Sequence, residues 1–164
     1  MPDLVRVTAQ RPNTMVTFNP PQTGCASALA AGAYCDVFTS ADVEVSANEP
    51  IAVAHYLLSN IPPQPDTDVG DPSMAFAVPT EPYRSSYTLL VPQQYQENIL
   101  SIVTPAGSAV RLDGTDVSGQ LAAFGGGTYK AGRVTVAAGP HTLDCPGTCG
   151  VEVHGSLQCP YYVH

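Results

Sequence analysis

Charge is scarce in this sequence, and positive charge is scarcest. Charged residues make up 12% of the 164 residues, and Lys130 and five arginines stand against 14 acidic side chains, which gives a net charge of −8. Binding to nucleic acid or to anionic lipid depends on clustered cations, and the sequence contains no such cluster. We therefore expect no nucleic-acid partner and no attraction to an anionic membrane surface.

Long apolar runs and helical periodicity are missing as well. The sequence has no run of about 20 apolar residues, so we expect no direct membrane insertion. Pro (16 residues) and Gly (14 residues) recur every few positions, and apolar residues follow the helical period for no more than about ten residues. Apolar and β-branched residues alternate with polar ones between turn signals, which is typical of strands. Strands are predicted near 4–9, 14–18, 36–46, 50–59, 73–78, 84–91, 98–104, 108–113, 132–137, 140–145 and 150–155.

Several segments recur in the same order in the two halves of the sequence. The correspondences are 5–18 with 100–113, each of which reads as strand, turn, strand, then 34–45 with 129–136, and 51–55 with 150–154. Ordered repetition indicates duplication of a β-unit. We therefore predict an all-β, antiparallel β-sandwich architecture with two pseudo-repeated β units in tandem, at 1–60 and 83–164. Residues 61–82, rich in proline and acid, are predicted to be a stiff linker.

Five cysteines in a lysine-poor chain indicate an oxidising compartment, and hence a secreted or cell-surface protein. Cys25 and Cys35 bracket a loop rich in Gly and Ala, and we predict that they pair. Cys145 and Cys149 flank a Pro-Gly-Thr turn, so a tight hairpin would place them opposite each other at a distance that a disulfide can bridge. Cys159 is then unmatched, which predicts a free thiol or an intermolecular bridge. The alternative, that all five are reduced, stays open.

An acidic loop is the best candidate for a metal site. Asp66, Asp68 and Asp71 place three carboxylates within six residues, and their oxygens could converge on Ca²⁺. The spacing is not that of an EF-hand loop, so a solvated loop with aspartates capping turns is the alternative. No other cofactor is predicted.

The start of the chain does not resemble a signal peptide, and we expect an excised piece of a longer protein.

Aromatic residues near the middle of the chain are the candidates for binding. Tyr83, Arg84 and Tyr87 lie close together, and exposed Tyr with Arg is common at recognition surfaces. The alternative is that Tyr87 points inward from its strand and packs in the core. His55 and His154 occupy corresponding repeat positions, but neither has a neighbouring ligand at metal spacing, and a structural role at a strand end is favoured.

Catalytic motifs are missing from the sequence. No G-x-S-x-G motif supplies a nucleophile, and the run of three glycines at 125–127 lacks the Lys-Ser/Thr of a phosphate-binding loop. We therefore predict no catalytic residues and no enzymatic activity. A hydrolase whose residues are scattered along the sequence remains an alternative.

A series of short motifs runs along most of the chain from about residue 5 to 155. The motifs are GDPSM at 70–74, PTEPYRSSY at 79–87, YQEN at 95–98, PAG at 105–107, LDG at 112–114, GPHTL at 139–143 and GVEVHG at 150–155. The series resembles the IgGFc-binding protein N-terminal domain family in its bacterial form. That resemblance implies secreted or surface-anchored proteins of β-rich modules and brings no catalytic residues. The pair Cys145 and Cys149, and the segment 156–159, depart from the family pattern.

The sequence therefore predicts a non-enzymatic extracellular or cell-surface β-module for adhesion, binding or self-assembly. Its partner would be a protein, a glycan or another copy of the chain. Sparsely charged edge strands do little to block pairing between copies, so the chain could also be a subunit of a surface fibre. The alternative function is a Ca²⁺-dependent, lectin-like carbohydrate-binding domain that uses Asp66, Asp68, Asp71 and Tyr83.

Overall fold

The computed structural model describes residues 3–25, 27–58 and 73–156, and nearly all regular structure in these residues is β-strand. Two short 3₁₀ turns, Ser118–Gln120 and Gly125–Gly127, are the exceptions. Every strand pairing that the structure describes is antiparallel, so the predicted all-β antiparallel class is confirmed. No helix in these residues has the length and apolar character needed to cross a membrane. The strands form two compact units, one of residues 3–58 with 73–77 and one of residues 78–156.

The first unit pairs a four-stranded sheet with a two-stranded ribbon. Its strands are β1 (Asp3–Ala9), β2 (Val16–Asn19), β3 (Tyr34–Thr39), β4 (Glu44–Ala47), β5 (Ile51–Leu57) and β6 (Ser73–Phe76). The sheet has the order β3-β1-β5-β6, and β2 pairs with β4 in the ribbon. Val7 and Val37 from the sheet and Phe18 from the ribbon are buried together. The core of this unit therefore lies between one face of the sheet and the ribbon.

The chain passes repeatedly between the sheet and the ribbon, which corrects two sequence predictions. The segment 36–46, predicted as one strand, contains the end of β3 and the start of β4, which belong to the sheet and the ribbon respectively. The strands of segment 5–18 do not pair with each other, because β1 pairs with β3 and β5 whereas β2 pairs with β4. The predicted strand near 73–78 is present as β6, inside the stretch predicted as a linker, and pairs with β5.

The second unit contains β7 (Arg84–Val91), β8 (Glu97–Pro105), β9 (Arg111–Leu112), β10 (Thr115–Asp116), β11 (Ala122–Phe124), β12 (Tyr129–Thr135) and β13 (Gly139–Ser156). The first part of β13 pairs with β7 and β9, and its second part pairs with β8, which continues through β12 to β11. One long strand thus joins both sets of partners in a seven-stranded sheet, with a register shift between its two parts. Leu100, Ile102 and Leu143 are fully buried within one core cluster.

The hairpin predicted around Cys145 and Cys149 is wrong. Asp144 lies opposite Ser86 and Cys149 lies opposite Arg84, so five steps along β13 match two along β7. The surplus residues bulge out while the strand keeps its direction. A disulfide between Cys145 and Cys149 closes this bulge, and another joins Cys25 to Cys35, so both predicted pairs form.

Candidate functional site

The face of the four-stranded sheet that points away from the core carries large apolar side chains. Successive residues of a strand point to opposite faces, and Val5 and Val7 point inward, so Leu4, Arg6 and Thr8 point outward. Strand register then aligns three rows across the sheet: Phe38, Leu4, Tyr56 and Met74; Asp36, Arg6, Ala54 and Phe76; and Tyr34, Thr8 and Ala52. We call this surface the aromatic face and define it by Leu4, Arg6, Tyr34, Asp36, Phe38, Tyr56, Met74 and Phe76.

The large side chains of the aromatic face are exposed to solvent. Phe38 is 62% exposed, Phe76 is 64% exposed and Tyr34 is 56% exposed, and Met74 is also exposed. They lie on β3 and β6, the two edge strands of one sheet, and the half-buried Leu4 and Tyr56 lie between them. The side chains therefore belong to one surface and are not scattered single residues. Contiguous exposed apolar surface of this kind marks interaction sites in soluble proteins.

Arg6 occupies the middle of the aromatic face and is held in place on several sides. Its Nε donates to Asp36 Oδ1 and its Nη2 donates to Asp36 Oδ2, both at 2.7 Å. Its Cζ lies 4.1 Å from the ring centroid of Tyr34 and 5.8 Å from that of Tyr56, which is cation–π distance. The hydrogen bond to Asp36 raises the pKa of Arg6, and the same bond lowers the pKa of Asp36. The face therefore has a rigid, charge-neutral centre.

The composition of the aromatic face matches that of protein interfaces. The centres of such interfaces are enriched in Tyr, Phe, Met and Arg and depleted in Lys and Glu, and binding energy concentrates in buried aromatic and Arg side chains. The face carries two Tyr, two Phe, one Met and one Arg, and no Lys or Glu lies among the residues that define it. The arrangement can therefore bind a surface, and it offers no nucleophile beside a base.

The residues predicted to bind, Tyr83, Arg84 and Tyr87, are found in the second unit beside the disulfide bulge. The Tyr87 hydroxyl donates to the Cys149 carbonyl at 2.6 Å and accepts from the Arg84 backbone N–H at 3.0 Å, and Tyr87 packs against the core. The Tyr83 ring lies so close to Gly150 that a Cβ there would overlap it, and burial raises the pKa of Tyr83. Both tyrosines contact the backbone at the end of the bulge, whereas the exposed Arg84 stays a predicted binding residue.

The other predicted site residues are not brought together by the structure. Asp66, Asp68, Asp71 and Cys159 lie outside the described residues, so the calcium site and the unmatched thiol stay predictions. Across residues 3–25, 27–58 and 73–156, no three or more His, Cys, Asp or Glu side chains are grouped to hold a metal ion.

The two histidines at corresponding repeat positions each lie beside a carboxylate. His55 Nε2 is 3.0 Å from Asp3 Oδ2, and His154 Nε2 is 3.5 Å from Glu152 Oε2. Each is partly exposed on its strand. Each contact gives its histidine a carboxylate partner on the surface.

An ion pair between His141 and Asp113 was not predicted from the sequence. Asp113 and Gly114 form the two-residue turn between β9 and β10, both with positive φ (51° and 80°), as a type I′ hairpin requires. His141 Nδ1 lies 2.6 Å from Asp113 Oδ2, and its Nε2 lies 2.9 Å from the Ala137 carbonyl. Both partners are acceptors, so the site favours the protonated imidazole, in which both ring nitrogens donate. The hydrogen bond raises the pKa of His141 and lowers the pKa of Asp113.

This pair predicts a pH dependence of stability. The pKa of His141 is raised from 6.5, so its contribution is complete below pH 6.5 and is lost as the pH rises through the raised value. The pKa of Asp113 is lowered from 3.8, so its contribution is complete above pH 3.8 and is lost as the pH falls through the lowered value. We expect His141→Gln to remove part of the fall in melting temperature between neutral and alkaline pH, as measured by calorimetry. An identical pH profile in His141→Gln and the unaltered protein would contradict this assignment.

Comparison with known proteins gives one match and two negative results. No curated protein matches the chain, and no solved structure matches it. Residues 1–155 match the family described as IgGFc binding protein, which covers nearly the whole chain and all strands of both units up to Gly155. The resemblance predicted from the short motifs is thereby confirmed: the chain belongs to the IgGFc binding protein family.

Proposed function

We propose that this chain is a non-enzymatic extracellular or cell-surface module that binds protein through the aromatic face. The single observation that carries the proposal is the surface that exposes Tyr34, Phe38, Met74 and Phe76 along the two edges of one sheet, with the half-buried Leu4, Tyr56 and the neutral centre at Arg6 between them. Membership of a family named for binding supports a binding role. The two disulfides support an oxidising location, since such bonds persist outside the cytosol.

A protein partner fits the aromatic face better than a glycan does. The charged hydrogen-bonding groups of the face, Arg6 and Asp36, are bonded to each other at one point of a mostly apolar surface, which suits selection among sugar hydroxyls poorly. The apolar area of Phe38, Met74 and Phe76 suits a partner that can bury apolar side chains of its own. Adhesion and assembly into a surface fibre are particular forms of this protein binding. The lectin-like alternative depends on aspartates outside the described residues.

Selection of peptides from a random phage-displayed library tests the proposal without a known partner. We expect selected peptides to bind the double variant Phe38→Thr/Phe76→Thr at least about tenfold more weakly than the unaltered protein. A loss of about 1.4 kcal/mol produces that change, and each aromatic anchor contributes on that scale. Binding is measured by biolayer interferometry, and circular dichroism checks that the variant is folded.

Leu90→Thr is the matched control, because Leu90 is 78% exposed on β7 of the second unit and lies outside the aromatic face. Peptides should bind this variant as they bind the unaltered protein. Peptides that bind the aromatic-face variant with full affinity, or a selection that yields no binding peptide, would count against the proposal. The Fc fragment of immunoglobulin G, to which the family's name refers, is a second defined probe for the same variants.

A further inference from the structure

The aromatic face is the part of the first unit best suited to approach an identical molecule. The chain has a net charge of −8, so two copies repel each other over most of their surfaces. Among the residues that define the face, Arg6 and Asp36 are the charged ones, and they neutralise each other at 2.7 Å. Two copies that meet through this face therefore bring no net charge into contact.

The centre of the face also has donors and acceptors left for a second copy. A guanidinium has five N–H groups, and Asp36 engages those of Nε and one of Nη2. A carboxylate accepts about four hydrogen bonds, and Arg6 supplies two of those that Asp36 can take. Both side chains are about one-third exposed. In a two-fold contact, Arg6 of each copy can donate to Asp36 of the other, which is the reciprocity that an isologous interface requires.

We propose that the partner of the aromatic face is a second copy of this chain, and that the two sheets pack face to face about a two-fold axis near Arg6. This inference rests on the proposed function and names its partner. A partner of different sequence would gain from a charged face that steers association, whereas a copy gains from a neutral and self-complementary one. Phe38, Met74 and Phe76 become buried around the central charge network.

The size of the face sets the strength of the contact. Four strands about 4.8 Å apart and four to seven residues long, at about 3.3 Å per residue, cover roughly 400 Å² in projection. Stable interfaces bury about 800 Å² on each partner, so the dimer is weak and reversible. We expect dissociation constants of about 10 µM or above, with dimer forming as the concentration is raised.

Sedimentation equilibrium from about 10 µM to about 1 mM tests the inference. All proteins carry Cys159→Ser, so that a disulfide between chains is not mistaken for the contact. We expect the average mass to rise from 17.1 kDa towards twice that value, and Phe38→Thr/Phe76→Thr to remain at 17.1 kDa throughout. Leu90→Thr is the control and should dimerise like the parent. Arg6→Asp/Asp36→Arg preserves the complementary pair and should restore most of the dimer that Arg6→Asp alone loses.

The outcomes distinguish failure of this inference from failure of the proposed function. If the parent protein stays monomeric while selected peptides bind its aromatic face, the inference that the partner is a second copy is wrong, and the proposed protein-binding function still holds. A monomer that selects no peptides at the face overturns both, as does a monomer whose face binds oligosaccharides and no peptide. A dimer that persists in Phe38→Thr/Phe76→Thr shows that copies meet elsewhere and also overturns the inference.

Discussion

Replacing Cys25 and Cys35 together with alanine is expected to lower the free energy of unfolding of the first unit by about 3 kcal/mol. The disulfide closes a loop of ten residues, and loop-closure entropy of that length corresponds to about 3 kcal/mol at 25 °C. Cys35 lies in β3, is buried in the core of the unit, and is flanked by Tyr34 and Asp36 of the aromatic face. We therefore expect the variant to lose peptide binding at lower temperature than the parent protein does.

The second disulfide provides the comparison for this experiment. Cys145→Ala/Cys149→Ala opens a loop of four residues in the second unit, for which the same relation gives about 2 kcal/mol. Calorimetry measures both losses of stability. Hydrogen exchange followed by mass spectrometry should place the loss caused by Cys25→Ala/Cys35→Ala in residues 3–58 and that caused by Cys145→Ala/Cys149→Ala in residues 78–156. A Cys25→Ala/Cys35→Ala protein as stable as its parent would show that the loop is already ordered without the bond.

Leu100→Ala is expected to destabilise the second unit by about 3 kcal/mol, within the range of about 2–5 kcal/mol measured for buried leucines. Leu100 is 0% exposed and lies on β8, between the partner strands β12 and β13. Truncation removes apolar contacts and leaves a cavity that the flanking strands cannot close without losing register.

Leu90→Ala is the matched control for this core substitution, because it removes the same atoms from an exposed position in the same unit. We expect a change of less than about 0.5 kcal/mol. Urea unfolding followed by tyrosine fluorescence measures both variants, and the absence of tryptophan keeps that signal unmixed. Equal effects of the two substitutions would mean that the second unit does not pack around β8.

Many strand positions were accessible from the sequence, and strand partners were not. The strand predicted at 84–91 has the observed bounds of β7, and that predicted at 4–9 differs from β1 by one residue, because alternating apolar residues identify a half-buried strand. The same alternation occurs in Val43 and Val45 whether the strand joins its neighbour in a hairpin or crosses to another sheet. Pairing partners depend on contacts between distant segments, which a local pattern does not contain.

The aromatic face was missed for the same reason. Arg6 and Asp36 are thirty residues apart, and Phe38 and Phe76 belong to opposite edges of one sheet. Alternation shows that Phe38 and Val37 point in opposite directions, but it does not show which of the two directions is buried. Only the register that aligns β3, β1, β5 and β6 reveals that these exposed side chains form one surface.

We propose that the two units arose by duplication, and strand order supports this proposal. In the first unit β1 lies between β3 and β5, and in the second β8 lies between β12 and β13, which are the segments that correspond in sequence. The registers differ, however. Val5 lies opposite His55, whereas Leu100 lies opposite Val153. His55 and His154 are thus offset by one residue, which places them on opposite faces of their sheets relative to the corresponding central strands.

The long strand β13 has a consequence for how the second unit opens. Its first part supplies backbone hydrogen bonds to β7 and β9, and its second part supplies them to β8. Because β13 is continuous, opening either set of its partner strands disturbs a strand that the other set also uses, so we expect the two sets to be coupled. We therefore expect the second unit to open largely as one cooperative unit, which limits cleavage by a protease that requires an unfolded segment.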